Sequence, residues 1–597
     1  MHLYRFTLLF ILLFISSHNN AANIYFRTNQ VGYLEDDLKV AVAMFPNEIQ
    51  SISKADFSIT NISTNKTYNI DSIRITNAWE PMKNCVRVYF SSITTPGEYI
   101  LNGFGEKSAI IHISNNVYLG AQEVPLYYMR QQRCGYNPSL GQECHKHDGR
   151  LVLSGKMDGT YIDVTGGWHD ASDYLQYLTT SANAVTQMLF AYYINPLLWE
   201  DKFDSKGQLG SNGIADILDE ARWGLEWMIK MNPNDTLFLN QIADDRDHRM
   251  AVLPADDKVD YGWGEGKERP VYPCANYPYG LMGNKNESKG LASSVGKFSS
   301  SFALGANIFS QIDSVFALEL NRRSNIAYNI AKANPGACQT APCTSPYYYE
   351  EDNWVDDMEL AAIFQYINTS DIKYYNDAID YGRQEPVTPW MGADSAHHYQ
   401  WYPFYNLGHL FLSNNSTNKR VSAEFSRNVR SGLHRVEEKA KENAFYNGIP
   451  FIWCSNNLTV ALVTQSMIYR LNSGDNKFLE LETSMRDWLF GVNPWGKCMI
   501  IGLPSDGDYP RDPHSALSNL NQIKLTGGIV DGPVYHNIFK SLKGVHLRNE
   551  DKYAQFQNNT VVYHDDYSDY STNEPTMDGT ASTTIFLGIL ASKALIY

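Results

Sequence analysis

Positive charge is in short supply. In 597 residues, 49 Lys and Arg stand against 65 Asp and Glu, a formal net charge of −16. Phosphate binding leans on a cationic face, so nucleic acid is disfavoured as a partner. Cysteine is scarce too: eight in a chain of this length cannot build a disulfide scaffold. Cys338 and Cys343, close together in a Pro/Gly-rich stretch, could close one small loop if their Cα separation allows. Long apolar runs are missing beyond the first residues, so no transmembrane segment is expected. That first stretch has Arg5, an apolar run over 8–15, a polar stretch over 16–20 and the small pair Ala21-Ala22. This is the pattern of a cleaved secretory signal over 1–22, which places the mature protein in a secreted or periplasmic location. No Cys lies near the cleavage point to carry a lipid anchor.

Aromatic residues, in contrast, are plentiful. The 39 Tyr, 26 Phe and 12 Trp make up 13 % of the chain. Flat rings fill cores, and they also stack on the apolar C–H faces of sugars. The composition permits a carbohydrate protein without requiring one.

Residues 23–115 carry short period-two strand candidates at 39–45, 55–59, 85–90, 98–101 and 109–113, which together suggest a small β-sandwich. After Tyr118 the periodicity turns helical, with candidates at 214–231, 294–312, 314–333, 356–368, 422–443, 458–471, 478–489 and 581–595. Many helices joined by aromatic, Gly-rich loops argue for a helical toroid whose function sits in the loops. Nothing resembles a linker after residue 120. Two domains are expected: a β-domain over 23–115 and one large helical domain over 116–597.

Three clusters could carry chemistry. In Gly166-Gly-Trp-His-Asp-Ala-Ser-Asp-Tyr174, Asp170 and Asp173 could bind a metal or jointly position a water; equally, they could cap backbone amides. In the segment 563–578, Glu574 follows Asp565, Asp566 and Asp569 among Tyr rings. A carboxyl in such surroundings can hold its proton and act as a general acid, although carboxylates at a helix start are also stabilised by the dipole. Pro513-His514 lies in a polar loop. Separately, Cys134, Cys144 and His145 lie within twelve residues, and His169 sits beside Asp170. Cys2His2 is a standard structural zinc set, yet the spacing is not that of a zinc finger, and a Cys134–Cys144 disulfide competes. Asp352, Asn353, Asp356 and Asp357 offer hard oxygen ligands for calcium, and helix capping explains the same residues.

These features coincide in one family. The chain resembles family 9 glycoside hydrolases that carry an N-terminal immunoglobulin-like domain. Arg27-Thr-Asn-Gln-Val-Gly-Tyr33 looks like the opening strand of that domain. GGWHDASDY resembles the family's catalytic-loop motif, with Ser172 where Gly is usual. Phe490-Gly-Val-Asn-Pro-Trp-Gly496 resembles its G-x-NP segment, and the Asp565…Tyr570…Glu574 spacing follows its C-terminal signature. The resemblance implies a mainly α fold, an (α/α)6 barrel preceded by the Ig-like sandwich, and inverting hydrolysis of β-1,4-linked glucans of the cellulose type.

Carried over by motif, Asp173 is the general base and Asp170 helps hold the water. Glu574 is the general acid, His514 contacts the sugar, and Asp565 orients. Inversion implies carboxyls about 6.5–9.5 Å apart rather than about 5–5.5 Å. The resemblance also implies structural zinc on Cys134, Cys144, His145 and His169, with His147 as the alternative ligand, and calcium near 352–357. Two departures, Ala516 in place of the Arg of Pro-His-x-Arg and Thr580 in place of an Asn, put the substrate subsites in question. They motivate a second expectation, an exo-acting glycosidase or glucosaminidase whose cleft is walled by the long 259–292 insert. A glycan-binding protein without catalysis is a third, against which the intact acid–base residues argue.

Overall fold

The computed structural model describes residues 24–248, 252–415, 418–542 and 544–595. The expected signal over 1–22 lies outside them. The β-domain is two packed sheets. One has the order β1 (Tyr25–Arg27), β2 (Val40–Phe45), β6 (Asn84–Tyr89) and β5 (Ser72–Thr76). The other has the order β4 (Thr67–Asn69), β3 (Phe57–Asn61), β7 (Gly97–Gly103) and β8 (Glu106–Lys107), with β9 (Ile111–Ile113) also on β7. Every residue of β2 is buried, because the strand is covered on both faces. Ala41, Ala43 and Phe45 point into the sandwich, whereas Val42 and Met44 join the core of the helical domain. β6 divides in the same way: Val86 and Val88 face the sandwich, and the Arg87 guanidinium crosses the boundary to Ala444 O and Ser484 Oγ, both at 2.8 Å.

The helical domain is a double ring. Its helices are α1 (Val124–Gln131), α2 (Leu178–Ile194), α3 (Asp216–Lys230), α4 (Ala292–Phe309), α5 (Ser314–Ala333), α6 (Val355–Thr369) and α7 (Ile372–Gly382). Next come α8 (Leu407–Asn415), α9 (Lys419–Ala440), α10 (Ser455–Ser473), α11 (Leu479–Leu489), the short α12 (Ala516–Asn521) and α13 (His536–Ser541), and finally α14 (Met577–Ser592). α2, α4, α6, α8, α10 and α14 touch in sequence and close on themselves. α3, α5, α7, α9 and α11 each back the helix before them, and α1 backs α14. The arrangement is an (α/α)6 barrel. Burial separates the layers: 14 of the 16 residues of α14 are buried, against 8 of the 22 in α9. An inner helix surrounded by others has no polar face, whereas an outer helix keeps one.

Each inner helix alternates in direction with its outer partner, so all inner N-termini open at one end of the barrel. The loops before α2, α6, α8, α10 and α14 therefore converge there. Behind the loop before α2 lies a five-stranded sheet built from Lys156–Tyr161, Arg150–Leu153, Pro270–Pro273, Leu239–Ile242 and Gln176–Tyr177. Part of the 259–292 insert is thus a strand of this support.

The segment 27–33 is a strand only at its start, since β1 ends at Arg27. The remainder docks the two domains, because its side chains find their partners in the second motif. Arg27 donates to Pro494 O at 3.0 and 2.7 Å, Gln30 Nε2 to Gly496 O at 2.7 Å, and Asn29 Nδ2 to Asp487 Oδ1 at 2.7 Å. Gly491, at φ 108°, leaves room for this contact; a Cβ there would lie 2.5 Å from Gln30 Nε2.

Candidate active site

The loop carrying Asp170 and Asp173 is anchored on both sides. His169 N donates to Gln132 O and Asp170 N to Leu175 O, each at 2.9 Å, and Met577 N at the head of α14 donates to Asp170 O at 2.9 Å. The Asp170 carboxylate is buried and accepts hydrogen bonds from Thr180 Oγ1 and, at 2.5 Å, from Tyr349 Oη. Its burial, and next the charge of Asp578, push its pKa up to about 7, against the pull of those two donors. Asp173 is more open, with 16 % of its side chain exposed and His248 Nε2 at 3.3 Å. Burial first, then Glu574, Asp170 and Asp247, hold its pKa well above the ordinary aspartate value. A carboxyl so placed is a stronger base once ionised.

Glu574 comes from the segment before α14, yet it meets this loop directly. Ser172 N donates to Glu574 Oε1 at 3.0 Å, and Ser172 Oγ donates to the same oxygen. The structure thus brings Asp170, Asp173 and Glu574 together. His514, buried, bonds through Nδ1 to Tyr567 O. Asp565 accepts from the amides of Arg511 and Asp512, both at 2.9 Å, and pairs with Lys497 at 3.1 Å. It ties down the chain just ahead of Pro513-His514. Ala516 is buried at the start of α12, and the Thr580 hydroxyl caps Ile529 N at 3.1 Å.

A connected arc of rings borders the carboxylates. It runs from His248 to Tyr347 (centroids 5.5 Å), His398 (5.9 Å), Trp453 (5.6 Å), Tyr570 (5.9 Å), His514 (5.8 Å) and Tyr567 (5.0 Å). Beneath it, Asp578 accepts from Tyr399 at 2.9 Å and Tyr402 at 3.0 Å. Tyr349, His248 and Asp578 are not among the site residues expected from sequence. The run Tyr347-Tyr-Tyr349 is a visible signal for the first and the acidic segment 563–578 for the last; His248 has none.

Cys134, Cys144, His145 and His169 present ligand atoms within 4.8 Å of one another. Cys134 Sγ to His145 Nδ1 is 3.6 Å, Cys144 Sγ to His169 Nε2 is 3.9 Å, and His169 Nε2 to His145 Nδ1 is 3.4 Å. Tetrahedral zinc, with Zn–S about 2.3 Å and Zn–N about 2.0–2.1 Å, requires edges of about 3.6 Å for S···N and about 3.3 Å for N···N. The set fits the ion. His145 turns its other nitrogen to Asp257 Oδ2 at 3.1 Å, which selects the tautomer a metal needs. His147 is exposed and outside the group.

Near 352–357, both Asp356 carboxylate oxygens, the Asn353 amide and Glu385 Oε1 are buried without hydrogen-bond partners, while Lys297 pairs with both Glu351 and Asp357. All eight cysteines are free thiols. The Cys338 thiol neighbours that of Cys274, and Cys343 instead neighbours Asp244.

Paired carboxylates under an aromatic arc, at one end of an (α/α)6 barrel, are an arrangement suited to glycoside hydrolysis. Residues 118–587 match Glycosyl hydrolase family 9, and residues 22–108 match the cellulase N-terminal Ig-like domain. The chain belongs to glycosyl hydrolase family 9 and is a cellulase-type enzyme. It is similar to a cellodextrinase of Butyrivibrio fibrisolvens, 25 % identical over 79 % of this chain and 84 % of the relative. It is also similar to a xyloglucan-specific endo-β-1,4-glucanase of Bacteroides ovatus, 23 % identical over 85 % of each. A zinc-binding triple mutant of a family 9 endoglucanase shares the fold, with a TM-score of 0.73, 22 % identity, and coverage of 94 % of this chain and 99 % of the other.

Proposed function

We propose that the enzyme cleaves β-1,4-glucosidic bonds in cellulose-like or related β-glucans by a single inverting displacement. The observation that carries this is the contact of the Asp170–Asp173 loop with Glu574 beneath the ring arc. Asp173, the more exposed carboxylate of the loop, takes a proton from water. Asp170, held by Thr180 and Tyr349, orients that water. Glu574 protonates the leaving oxygen, His514 contacts the sugar, and Asp565 keeps the His514 loop in place. Glu574→Gln should cut hydrolysis by roughly 10²–10⁴ with unchanged melting. Proton NMR of the first product should show the α anomer, and a β anomer would refute inversion. Product profiles on cellulose derivatives, xyloglucan, mixed-linkage glucan and chitosan oligomers separate the alternatives. A ladder marks endo-action, a single short product from chain ends marks exo-action, and no product leaves glycan binding.

Zinc is the ion we assign to Cys134, Cys144, His145 and His169; when bound, it supplies a closed structural clamp with no open position for substrate. The chain's own contribution is to join the 134–145 segment to the loop that begins at His169. Elemental analysis should give one zinc per chain. For calcium near 352–357 we propose Asn353 and Asp356, whose side-chain oxygens lack hydrogen-bond partners, tested by a rise in melting temperature with calcium that a chelator reverses. Among the described residues no helix is long and apolar enough to cross a membrane. We infer export from residues 1–22, to be checked by N-terminal sequencing of the mature protein.

A further inference from the structure

The Ser172 hydroxyl falls on the residue proposed as the acid. Two donors of one residue, N–H and Oγ–H, converge on a single oxygen, Glu574 Oε1. Ser172 is only 4 % exposed, so water does not compete for the hydroxyl. Nor can the loop drift: Gln132 Nε2 holds Ala171 O at 2.5 Å, and Asp170 is bound on both its N–H and its C=O. Glu574 is held through its own backbone as well, with Asp531 N donating to its carbonyl at 2.9 Å.

We propose that Ser172 is a positioning residue that clamps Glu574 Oε1 and leaves Oε2 free to carry the transferred proton. The proposal rests on the general-acid role of Glu574. Asp170, Asp173 and Asp531 are the carboxylates that face Glu574. His248, Tyr128, Tyr347 and Tyr570 complete the titratable groups around it. Among these, the Ser172 hydroxyl is the uncharged donor that a single substitution removes while the loop's N–H contact stays.

The test is kcat and KM on a β-glucan oligosaccharide. Proton transfer needs the free oxygen of Glu574 aimed at the leaving oxygen, so loosening the clamp should act on kcat rather than on KM. Ser172→Ala and Ser172→Gly should lower kcat about tenfold with KM unchanged. Ser172→Thr, which keeps the hydroxyl, should restore it. With a dinitrophenyl glycoside, whose leaving group needs no proton, the same variants should show no such loss. If Ser172→Ala does not fold, Ser172→Cys, of similar size but with a weak donor, replaces it. An unchanged kcat in folded variants, with Glu574→Gln inactive, overturns the clamp alone. A Glu574→Gln enzyme that keeps its rate overturns the acid assignment, and the clamp with it.

Discussion

Lys297 lies on α4 beneath the loop that carries Tyr349, and removing its charge should weaken the floor of the site in a pH-dependent way. Its side chain is 5 % exposed and its ammonium meets Glu351 and, at 2.8 Å, Asp357. At an effective dielectric of about 20, one such pair attracts by about 6 kcal/mol. Much of this is offset by the cost of burying both charges. Lys297→Met leaves the carboxylates without their cation, a loss of about 3–5 kcal/mol. For a chain of this size that is about 2–4 °C in melting temperature.

Burial already raises Glu351 to about 7, despite the lowering by Lys297, and raises Asp356 to about 6. Without the lysine both rise further above their unfolded values. Groups with raised folded pKa values favour the fold at low pH and lose that contribution as pH rises through the folded value. The deficit of Lys297→Met should therefore be largest near pH 8 and shrink towards pH 5, read by calorimetry at both. Because Glu351 follows Tyr349, which holds Asp170 at 2.5 Å, kcat should fall alongside. Equal deficits at the two pH values, or none at pH 8, would refute the buried-pair account.

Three other perturbations probe separate parts of the molecule. Asp257→Ala removes the carboxylate from His145 and should weaken zinc binding about 10–100-fold, measured by competition with a chelating dye. His248→Ala removes a donor at 3.3 Å from ionised Asp173. The base should then bind its proton more tightly, so the acid limb of kcat/KM should move to higher pH; a shift to lower pH would contradict the geometry. Arg27→Ala breaks both hydrogen bonds to Pro494 O and should cost about 2 kcal/mol of stability in urea unfolding.

What could be read from sequence followed the range of the interactions. The outer helices α3, α5 and α9 were legible because one face is wet and the other dry, which writes a period into the chain. α2 was missed. Its sequence, LTTSANAVTQMLFAYYI, scatters Thr, Ser, Asn and Gln around the helix, and 14 of its 17 residues are buried. Those polar groups are satisfied by neighbouring helices, as Thr186 Oγ1 is by Ser301 Oγ at 3.0 Å, so no hydrophobic stripe exists to be seen. The carboxylates Asp170, Asp173 and Glu574 stand out because they lie in two dense polar and aromatic clusters, the first two sharing one. Their supports do not. Tyr349 reaches Asp170 across 179 residues, marked only by the Tyr run at 347–349, and Asp257 reaches His145 across 112 with no local signature.

The motifs at 27–33 and 490–496 show the same limit more sharply. Each is recognisable alone, and the first reads as a strand. Their physical content is mutual: three side chains of one bond backbone carbonyls or Asp487 beside the other, and Gly491 is open because Gln30 fills the space where its Cβ would be. Substituting Gly491 by alanine should therefore disturb the β-domain contact before it disturbs the barrel.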